Sequence, residues 1–185
     1  MKTPRPRTLA PLTVLVVVAS LLLGVDLAGL CFNLTASLPS GIYRVIRRPA
    51  VLGDLVAFCP PPEWVRLGRN RCYLPSGRCQ GGGVPLLKRV VAVEGQVVVV
   101  DAAGVAIDGH WLQEPAPTVD QQGRPLAPWP EGHHRLGPGQ LWLATSDPRS
   151  FDSRYFGPVS RDAVLATVVP VWTWAPTSDP ARSTP

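Results

Sequence analysis

Two residues in this sequence could act together as a nucleophile and its base, without a histidine. Ser37 lies in NLTASLPSGIY, where Pro39 and Gly41 constrain the backbone into a tight, irregular turn. Such a turn could present the Ser37 hydroxyl and a backbone N–H to the same point. Lys88 lies inside the apolar run PLLKRVVAV. Because desolvation lowers the pKa of a buried lysine, a neutral Lys88 could accept the proton of a serine hydroxyl.

The faces of the strand around Lys88 decide whether its amine is desolvated. Strand alternation puts Lys88 on one face with Leu86 and Val90. If this face is the core face, the amine lies among apolar groups; the alternative is that Lys88 extends from a sheet edge into solvent. A histidine base is less favoured, because the adjacent His133 and His134 lie amid Pro and Gly in a solvated loop.

Composition indicates that these residues are held by a loop-rich β domain. The 185 residues suffice for one domain with an appendage and exclude a multidomain protein. The 22 Pro and 17 Gly argue against a helical bundle, while 45% hydrophobic and 17% charged residues exclude a disordered chain. The net charge of +5 is scattered in ones and twos along the chain, so nucleic-acid binding is not expected.

Strand and loop signals alternate through the chain after residue 50. Strands are predicted at LVAFC, in the Val-rich segment that follows Pro85, at 141–146 and at 164–174. The last segment is either one strand or two strands divided at Pro170. Segments 60–83 and 113–138 are predicted as long loops, the first with at most one helical turn. We expect Trp172 and Trp174 to share one packed face of a strand, and Trp64 to be a candidate for contact with lipid headgroups.

An apolar run at residues 9–32 predicts one transmembrane helix. Lys2, Arg5 and Arg7 precede it without any acidic residue, so residues 1–8 are expected in the cytoplasm and the remainder outside. A cleaved signal peptide is the alternative, but the residues before Ser37 match a cleavage site poorly. The sequence therefore predicts an exported β domain at 33–175 and a disordered tail at 176–185.

The cysteines fit an exported domain but do not predict a metal site. Cys59, Cys72 and Cys79 fall in the exported part, where a disulfide is permitted, and the sequence does not choose the pair. Cys31 lies in or beside the anchor. Because no CxxC pair occurs, neither a structural metal nor a cofactor is expected.

Four motifs occur in order behind the anchor: TASLPSGIY, GDLVAFCPP, LLKRVVAVEGQVV and SFDSRYFGPV. Together they resemble the Ser/Lys signal peptidases of the leader-peptidase superfamily, and most closely the TraF-type conjugative-transfer peptidases. The resemblance spans about residues 33–170. It implies a mainly β fold of antiparallel sheets in a coiled, barrel-like arrangement, behind one transmembrane helix.

The resemblance also assigns roles to individual residues. Ser37 matches the family nucleophile and Lys88 its general base. Thr35 stands where the superfamily often supplies a hydroxyl to the oxyanion hole.

A second group of matching residues lies in the last motif. Ser150 matches a hydroxyl that orients the base, although Ser146 remains an alternative because the usual G-D-N is absent before the motif. Asp152 and Arg154 match a pair that braces the site, and in the TraF group the aspartate is linked to activity. The alternative is an ion pair that only stabilises a turn.

The resemblance implies a serine endopeptidase anchored in the bacterial inner membrane, with its catalytic domain on the periplasmic face. Its expected partners are the bilayer, a membrane-held pilin precursor and the conjugative-transfer apparatus, and the product could be linear or joined head to tail. Two alternatives are a general signal peptidase that acts on secreted preproteins and a non-enzymatic exported assembly factor.

Overall fold

Antiparallel strands dominate the computed structural model, which describes Val14, residues 29–33 and residues 37–174. The described strands form two sheets, one of seven strands and one of four. The mainly β, antiparallel class predicted from the sequence is therefore confirmed. The larger sheet is open rather than a closed barrel, because its two edge strands do not pair with each other.

The larger sheet combines strands from both ends of the described chain. Its members are β1 (Leu30–Asn33), β2 (Gly41–Ile46), β3 (Leu55–Phe58), β4 (Leu86–Val93), β9 (Gln140–Ala144), β10 (Val159–Ser160) and β11 (Val164–Thr173). Their spatial order is β1-β2-β11-β3-β4-β9-β10, and every pairing is antiparallel. The β1–β2 hairpin thus lies at one edge, and β4 lies in the interior.

The smaller sheet begins within the Val-rich segment, which contains its first two strands. It contains β5 (Val97–Asp101), β6 (Gly104–Ile107), β7 (His110–Gln113) and β8 (Gly132–Arg135), in the order β7-β6-β5-β8. A turn at Glu94-Gly95 separates β4 from β5, and a turn at Ala102-Ala103 separates β5 from β6, which begins at Gly104. The adjacent histidines, predicted in a loop, lie instead on β8.

The main core lies on one face of β3, β4 and β9. Val56, Val90 and Leu143 contribute to it, and two helices, α1 (Pro62–Asn70) and α2 (Ser153–Phe156), pack beside it. Lys88 is opposite Val56 in the strand pairing, so it projects from the same face as these apolar residues. The opposite face of the sheet holds a smaller cluster that includes Tyr43.

Helix α1 corrects the sequence prediction for residues 60–83. The segment was predicted to contain at most one helical turn, but it forms a nine-residue helix. Pro62 is compatible with this because the first helical position needs no backbone N–H donor. The helix buries Val65 and Gly68, and a Cβ at Gly68 would lie only 2.9 Å from the Leu74 side chain. Tertiary packing therefore stabilises a helix in a segment whose Pro and Gly content does not predict one.

Three tryptophans lie where the sequence did not predict them. Trp64 is half-buried, and its ring packs against Phe151 and Tyr155 at centroid distances of 5.9 and 6.4 Å, which the sequence did not indicate. Trp172 and Trp174 are not packed beneath the sheet: they are 67% and 54% exposed. Alternation predicts that these two share a face, but it does not reveal whether anything covers that face.

Strand β11 continues through Pro170 as one strand, with a register shift before Trp172. Beyond Val168 it pairs with β2 but no longer with β3. A proline is tolerated there because only one side of the strand needs backbone hydrogen bonds.

The predicted anchor, residues 9–32, falls mostly outside the described residues, as do residues 1–8 and the tail at 176–185. Its last residues are described and correct its boundary, because Leu30–Asn33 form β1 and pair with β2 instead of ending a helix. None of the described helices is long and apolar enough to cross a bilayer.

A disulfide joins Cys59 to Cys79 and closes the segment that contains α1. This resolves the pairing that the sequence left open. Cys72 is exposed and Cys31 half-buried, both as free thiols.

Candidate active site

Ser37 lies in the hairpin loop between β1 and β2. The last paired residues of the hairpin are Asn33 and Gly41, so the loop leaves the sheet edge at these two positions. Gly41 is required by close packing, because a Cβ there would lie 2.3 Å from the Trp172 carbonyl oxygen. The end of β11 therefore packs directly against the exit of the Ser37 loop. The backbone N–H of Trp174 also donates to the Ser40 carbonyl at 3.0 Å.

Lys88 occupies the middle of an interior strand and is only 2% exposed. Burial lowers the pKa of Lys88 from its ordinary 10.5 to about 8. The negative charges of Asp152 and Asp147 oppose this shift by raising the pKa, and the positive charge of Arg154 lowers it further. No carboxylate within the described part of the chain forms an ion pair with Lys88.

The structure brings Lys88 and Ser37 into direct contact: Lys88 Nζ donates to Ser37 Oγ at 2.6 Å. In a flat sheet, three strand spacings would separate β2 from β4 by about 14 Å. The Ser37 loop must therefore reach across the curved sheet toward β4. The distance is within the range needed for direct proton transfer.

Asp152 and Arg154 form a buried, bidentate ion pair. Arg154 Nε donates to Asp152 Oδ1 and Nη2 donates to Oδ2, each at 3.0 Å. The two side chains are 0% and 1% exposed. Asp152 also caps α2, because its Oδ1 accepts from the Arg154 backbone N–H at 3.1 Å. The structure thus brings Asp152 to Arg154, and within the described residues Asp152 forms no hydrogen bond with Ser37 or Lys88.

Arg154 has further acceptors that the sequence did not indicate. Its guanidinium donates to the backbone carbonyls of Glu114, Asp147 and Ser150, each at 3.2 Å. In the orientation that satisfies both of its neighbours, the Gln113 amide accepts from Arg154 Nε at 3.1 Å and donates to the Thr145 carbonyl at 2.8 Å. The lone Gln113 carries no motif, so no sequence signal could have identified it.

The buried hydroxyls near the end of β9 separate the two serine candidates. Ser150 is buried, and its Oγ has no hydrogen-bond partner among the described residues. Ser146 is exposed. Burial therefore favours Ser150 over Ser146 as a group of the site interior. Thr145 has a second buried hydroxyl without a described partner. Thr35, the predicted oxyanion residue, lies outside the described residues.

A family model described as signal peptidase, peptidase S26, matches residues 7–174. The chain belongs to this family. The match includes the Ser37 loop, β4 and the turn before α2. Because the family consists of signal peptidases of serine type, membership implies a serine peptidase and confirms the resemblance seen in the motifs.

Relatives that are similar along most of their length bear TraF names. The chain is 41% identical over 152 residues to a probable conjugal transfer protein TraF of Sinorhizobium fredii (strain NBRC 101917 / NGR234), covering 80% of this chain and 79% of the relative. It is 38% identical over 162 residues to a plasmid transfer protein TraF of Escherichia coli, covering 85% and 91%. It is 42% identical over 156 residues to a conjugal transfer protein TraF of Agrobacterium fabrum (strain C58 / ATCC 33970), covering 81% and 86%.

One solved structure, a signal peptidase I from Enterococcus faecalis V583, matches at 20% sequence identity with a TM-score of 0.38. The match covers 66% of this chain and 98% of that chain.

Proposed function

We propose that this chain is a membrane-anchored serine endopeptidase that uses Ser37 as nucleophile and Lys88 as general base. The observation that supports this most directly is the 2.6 Å hydrogen bond between the two side chains, made by a lysine that is almost fully buried. A base must be neutral to accept a proton, and burial lowers the pKa of Lys88 to about 8. A substantial neutral fraction is therefore present at mildly alkaline pH.

The reaction follows from these two groups. Neutral Lys88 accepts the Ser37 proton as Oγ attacks the scissile carbonyl carbon. The developing oxyanion accepts hydrogen bonds from the Ser37 backbone N–H and the Thr35 hydroxyl, and each such donor typically contributes about 3 kcal/mol. Protonated Lys88 then gives its proton to the leaving amine, and an acyl-enzyme remains on Ser37.

Residues in and beside the turn before α2 assist Lys88 in the proposed reaction. We assign Ser150 as the hydroxyl that accepts a hydrogen bond from the Lys88 ammonium, because its Oγ is buried and has no partner among the described residues. Asp152 participates through its charge, since it raises the pKa of Lys88 and favours the protonated form that the leaving group needs. Arg154 holds Asp152 in place and limits this effect.

The substrate we propose is a pilin precursor of a conjugative-transfer system. The TraF names of the relatives support a role in conjugal transfer. The acyl-enzyme can be resolved by water, which gives a linear product, or by the N-terminal amine of the substrate, which gives a head-to-tail ring.

We place the catalytic domain on the periplasmic face of the inner membrane, behind a single span in the apolar run that precedes β1. Three basic residues before the apolar run support this orientation, and the Cys59–Cys79 disulfide is typical of an oxidising compartment. The exposed side chains of Phe32, Trp172 and Trp174 add an apolar surface beside the Ser37 loop, suited to the interfacial region of a bilayer. A membrane-held precursor would then meet Ser37 by proximity.

The decisive experiment places the full chain in lipid vesicles with the pilin precursor encoded in its own gene cluster. Ser37→Ala and Lys88→Ala should each abolish processing, whereas Arg89→Ala, next to the base, should retain it. Intact mass then distinguishes the two products, because a ring is one water lighter than the linear form.

The other outcomes identify the alternatives. Processing of secreted preproteins at rates similar to the pilin precursor would favour a general signal peptidase. Conjugation supported by Ser37→Ala at the wild-type level would favour a non-enzymatic assembly factor and refute the proposal.

A further inference from the structure

Two buried side chains hold the loop that contains Ser37. Asn33, the last residue of β1, is 3% exposed, and its Nδ2 donates to the carbonyl oxygens of Leu38 and Pro39, each at 3.1 Å. Tyr43 is 1% exposed, and its hydroxyl donates to the same Pro39 carbonyl at 2.7 Å. Three side-chain hydrogen bonds therefore end on the two residues that follow Ser37.

Strand pairing explains why these two side chains reach the same loop. Asn33 pairs with Gly41, and Tyr43 lies two residues further along β2, so both project from one face of the hairpin. The Pro39 carbonyl thus receives donors from both strands of the hairpin.

Pro39 already constrains part of the loop backbone. Pro39 has no N–H, its φ is fixed, and a residue before proline is restricted to extended backbone. Proline does not fix the orientation of the carbonyl groups at 38 and 39, and these are the groups that Asn33 and Tyr43 bind.

The two partners in the proposed reaction differ in how firmly they are held. Lys88 lies on an interior strand that pairs on both sides, with β3 and β9. Ser37 lies on a loop at a sheet edge, where backbone motion is ordinarily larger. Because a displacement of about 1 Å can cost 100-fold in rate, the loop position is the variable that most needs control.

We propose that Asn33 and Tyr43 are positioning residues that hold the Ser37 loop against Lys88; this pair is called the loop clamp below. The inference rests on the proposed function, because it concerns the geometry of the same reaction. The clamp touches neither the substrate nor the reacting atoms. It acts through the peptide groups beside the nucleophile and keeps the 2.6 Å contact formed before substrate arrives.

Tyr43→Phe tests the clamp most cleanly, because it removes one hydroxyl and retains the buried ring. Asn33→Leu is a second, nearly isosteric variant that removes both amide donors. Tyr73→Phe is the matched control: it removes a tyrosine hydroxyl bonded to Asp120, in loops that hold none of the proposed catalytic residues.

Kinetics of the full chain in vesicles, with the same pilin precursor, give the readout. We expect Tyr43→Phe to lower kcat roughly fivefold to twentyfold. This is the size of effect expected when the hydrogen bond from the Tyr43 hydroxyl to the Pro39 carbonyl no longer holds the loop in the transition state. KM should stay within about twofold, because no substrate contact is lost. The midpoint of the pH profile should also stay near that of the wild type, since Lys88 lies on an interior strand that neither clamp residue belongs to. Kinetics are measured well below the Tm of each variant that folds, so that a lower stability does not reduce the folded fraction.

A purely structural role predicts a different pattern. Wild-type kcat in folded Tyr43→Phe and Asn33→Leu, with only a lower Tm, would overturn the inference, as would equal losses in Tyr43→Phe and Tyr73→Phe. Failure of both clamp variants to fold would also overturn it, because the bonds would then maintain the fold rather than the loop.

Different results would refute the proposed function and the loop clamp. If Ser37→Ala still processes the precursor, the proposed function is wrong. If Ser37→Ala and Lys88→Ala are inactive while both clamp variants keep wild-type kcat, only the clamp is wrong.

Discussion

Arg154 and Lys88 are both buried cations, but their surroundings are opposite. Arg154 forms a bidentate pair with Asp152 and donates to three backbone carbonyls. Lys88 donates to one neutral hydroxyl, that of Ser37, and has no ion-pair partner in the described part of the chain.

This difference distinguishes a cation that stabilises the fold from a cation that can lose and regain its proton. A guanidinium stays protonated in proteins, so a fully compensated Arg154 is a permanent part of the turn before α2. An amine without a carboxylate partner loses the stabilisation of its charged form, and its pKa falls toward the working pH. The uncompensated cation is therefore the one suited to acid–base chemistry.

Replacing Lys88 tests the comparison most severely. Lys88→Met should lower activity by at least about 1,000-fold, since the nucleophile and its base act as a unit. The same change should raise the free energy of unfolding at pH 7 by up to about 3 kcal/mol, because the cost of burying an ammonium disappears. Denaturant titration and precursor processing measure the two effects.

The stability gain of Lys88→Met should depend on pH. Below about pH 8 the folded and unfolded wild-type chains are both protonated, and the folded state bears the full cost. Between about 8 and 10.5 the unfolded chain binds more protons, so wild-type stability rises with pH and the difference narrows. A difference that is constant over this window would contradict the assigned pKa. Arg89→Met serves as the control and should show no such trend.

Breaking the compensated pair should have the opposite effect on stability. Arg154→Met leaves the buried Asp152 carboxylate unpaired, and we expect a loss of about 3–5 kcal/mol in the free energy of unfolding. Adding Asp152→Leu should recover part of the loss, because no isolated charge then remains. If Arg154→Met lowers the free energy of unfolding by less than about 1 kcal/mol, the Asp152–Arg154 pair does not stabilise the fold as we infer.

The wild-type enzyme should become more active as pH rises. With the pKa of Lys88 at about 8, kcat/KM should increase about tenfold per pH unit below the midpoint and level off above it. A profile that is flat between pH 6 and 9 would exclude Lys88 as the base.

Asp152→Asn should move that midpoint to lower pH, because the negative charge that raises the pKa of Lys88 is removed while Arg154 remains. Asp147→Asn should shift it in the same direction by a smaller amount, since Asp147 has the weaker influence. The profiles of the two variants and the wild type, measured at equal ionic strength, provide the comparison. A shift to higher pH in Asp152→Asn would contradict an electrostatic role.

Much of the site could be predicted because its signals are local. The alternation around Lys88 indicated which neighbours share its face, and the motif around Ser37 indicated an irregular turn. Four short motifs in order were enough to identify the family. The Asp152–Arg154 pair was also visible, because its members lie two residues apart.

Other features could not be predicted because they depend on contacts between distant segments. Helix α1 was missed because its stability comes from packing against the core and from the close approach of Leu74 to Gly68, in a segment rich in Pro and Gly. Gln113 was missed because its partners lie on another element. The exposure of Trp172 and the choice of Cys59 and Cys79 as partners likewise depend on where distant segments lie.

The sequence by itself determined the family, the mainly β class, and the placement of an amine within an apolar strand, because each depends on residue order and short-range periodicity. Only the tertiary structure decided that the amine reaches Ser37. The last strand, β11, inserts between β2 and β3 and packs against the exit of the Ser37 loop at Gly41. Strand pairing between distant segments follows from burial over the whole sheet, which no local pattern specifies.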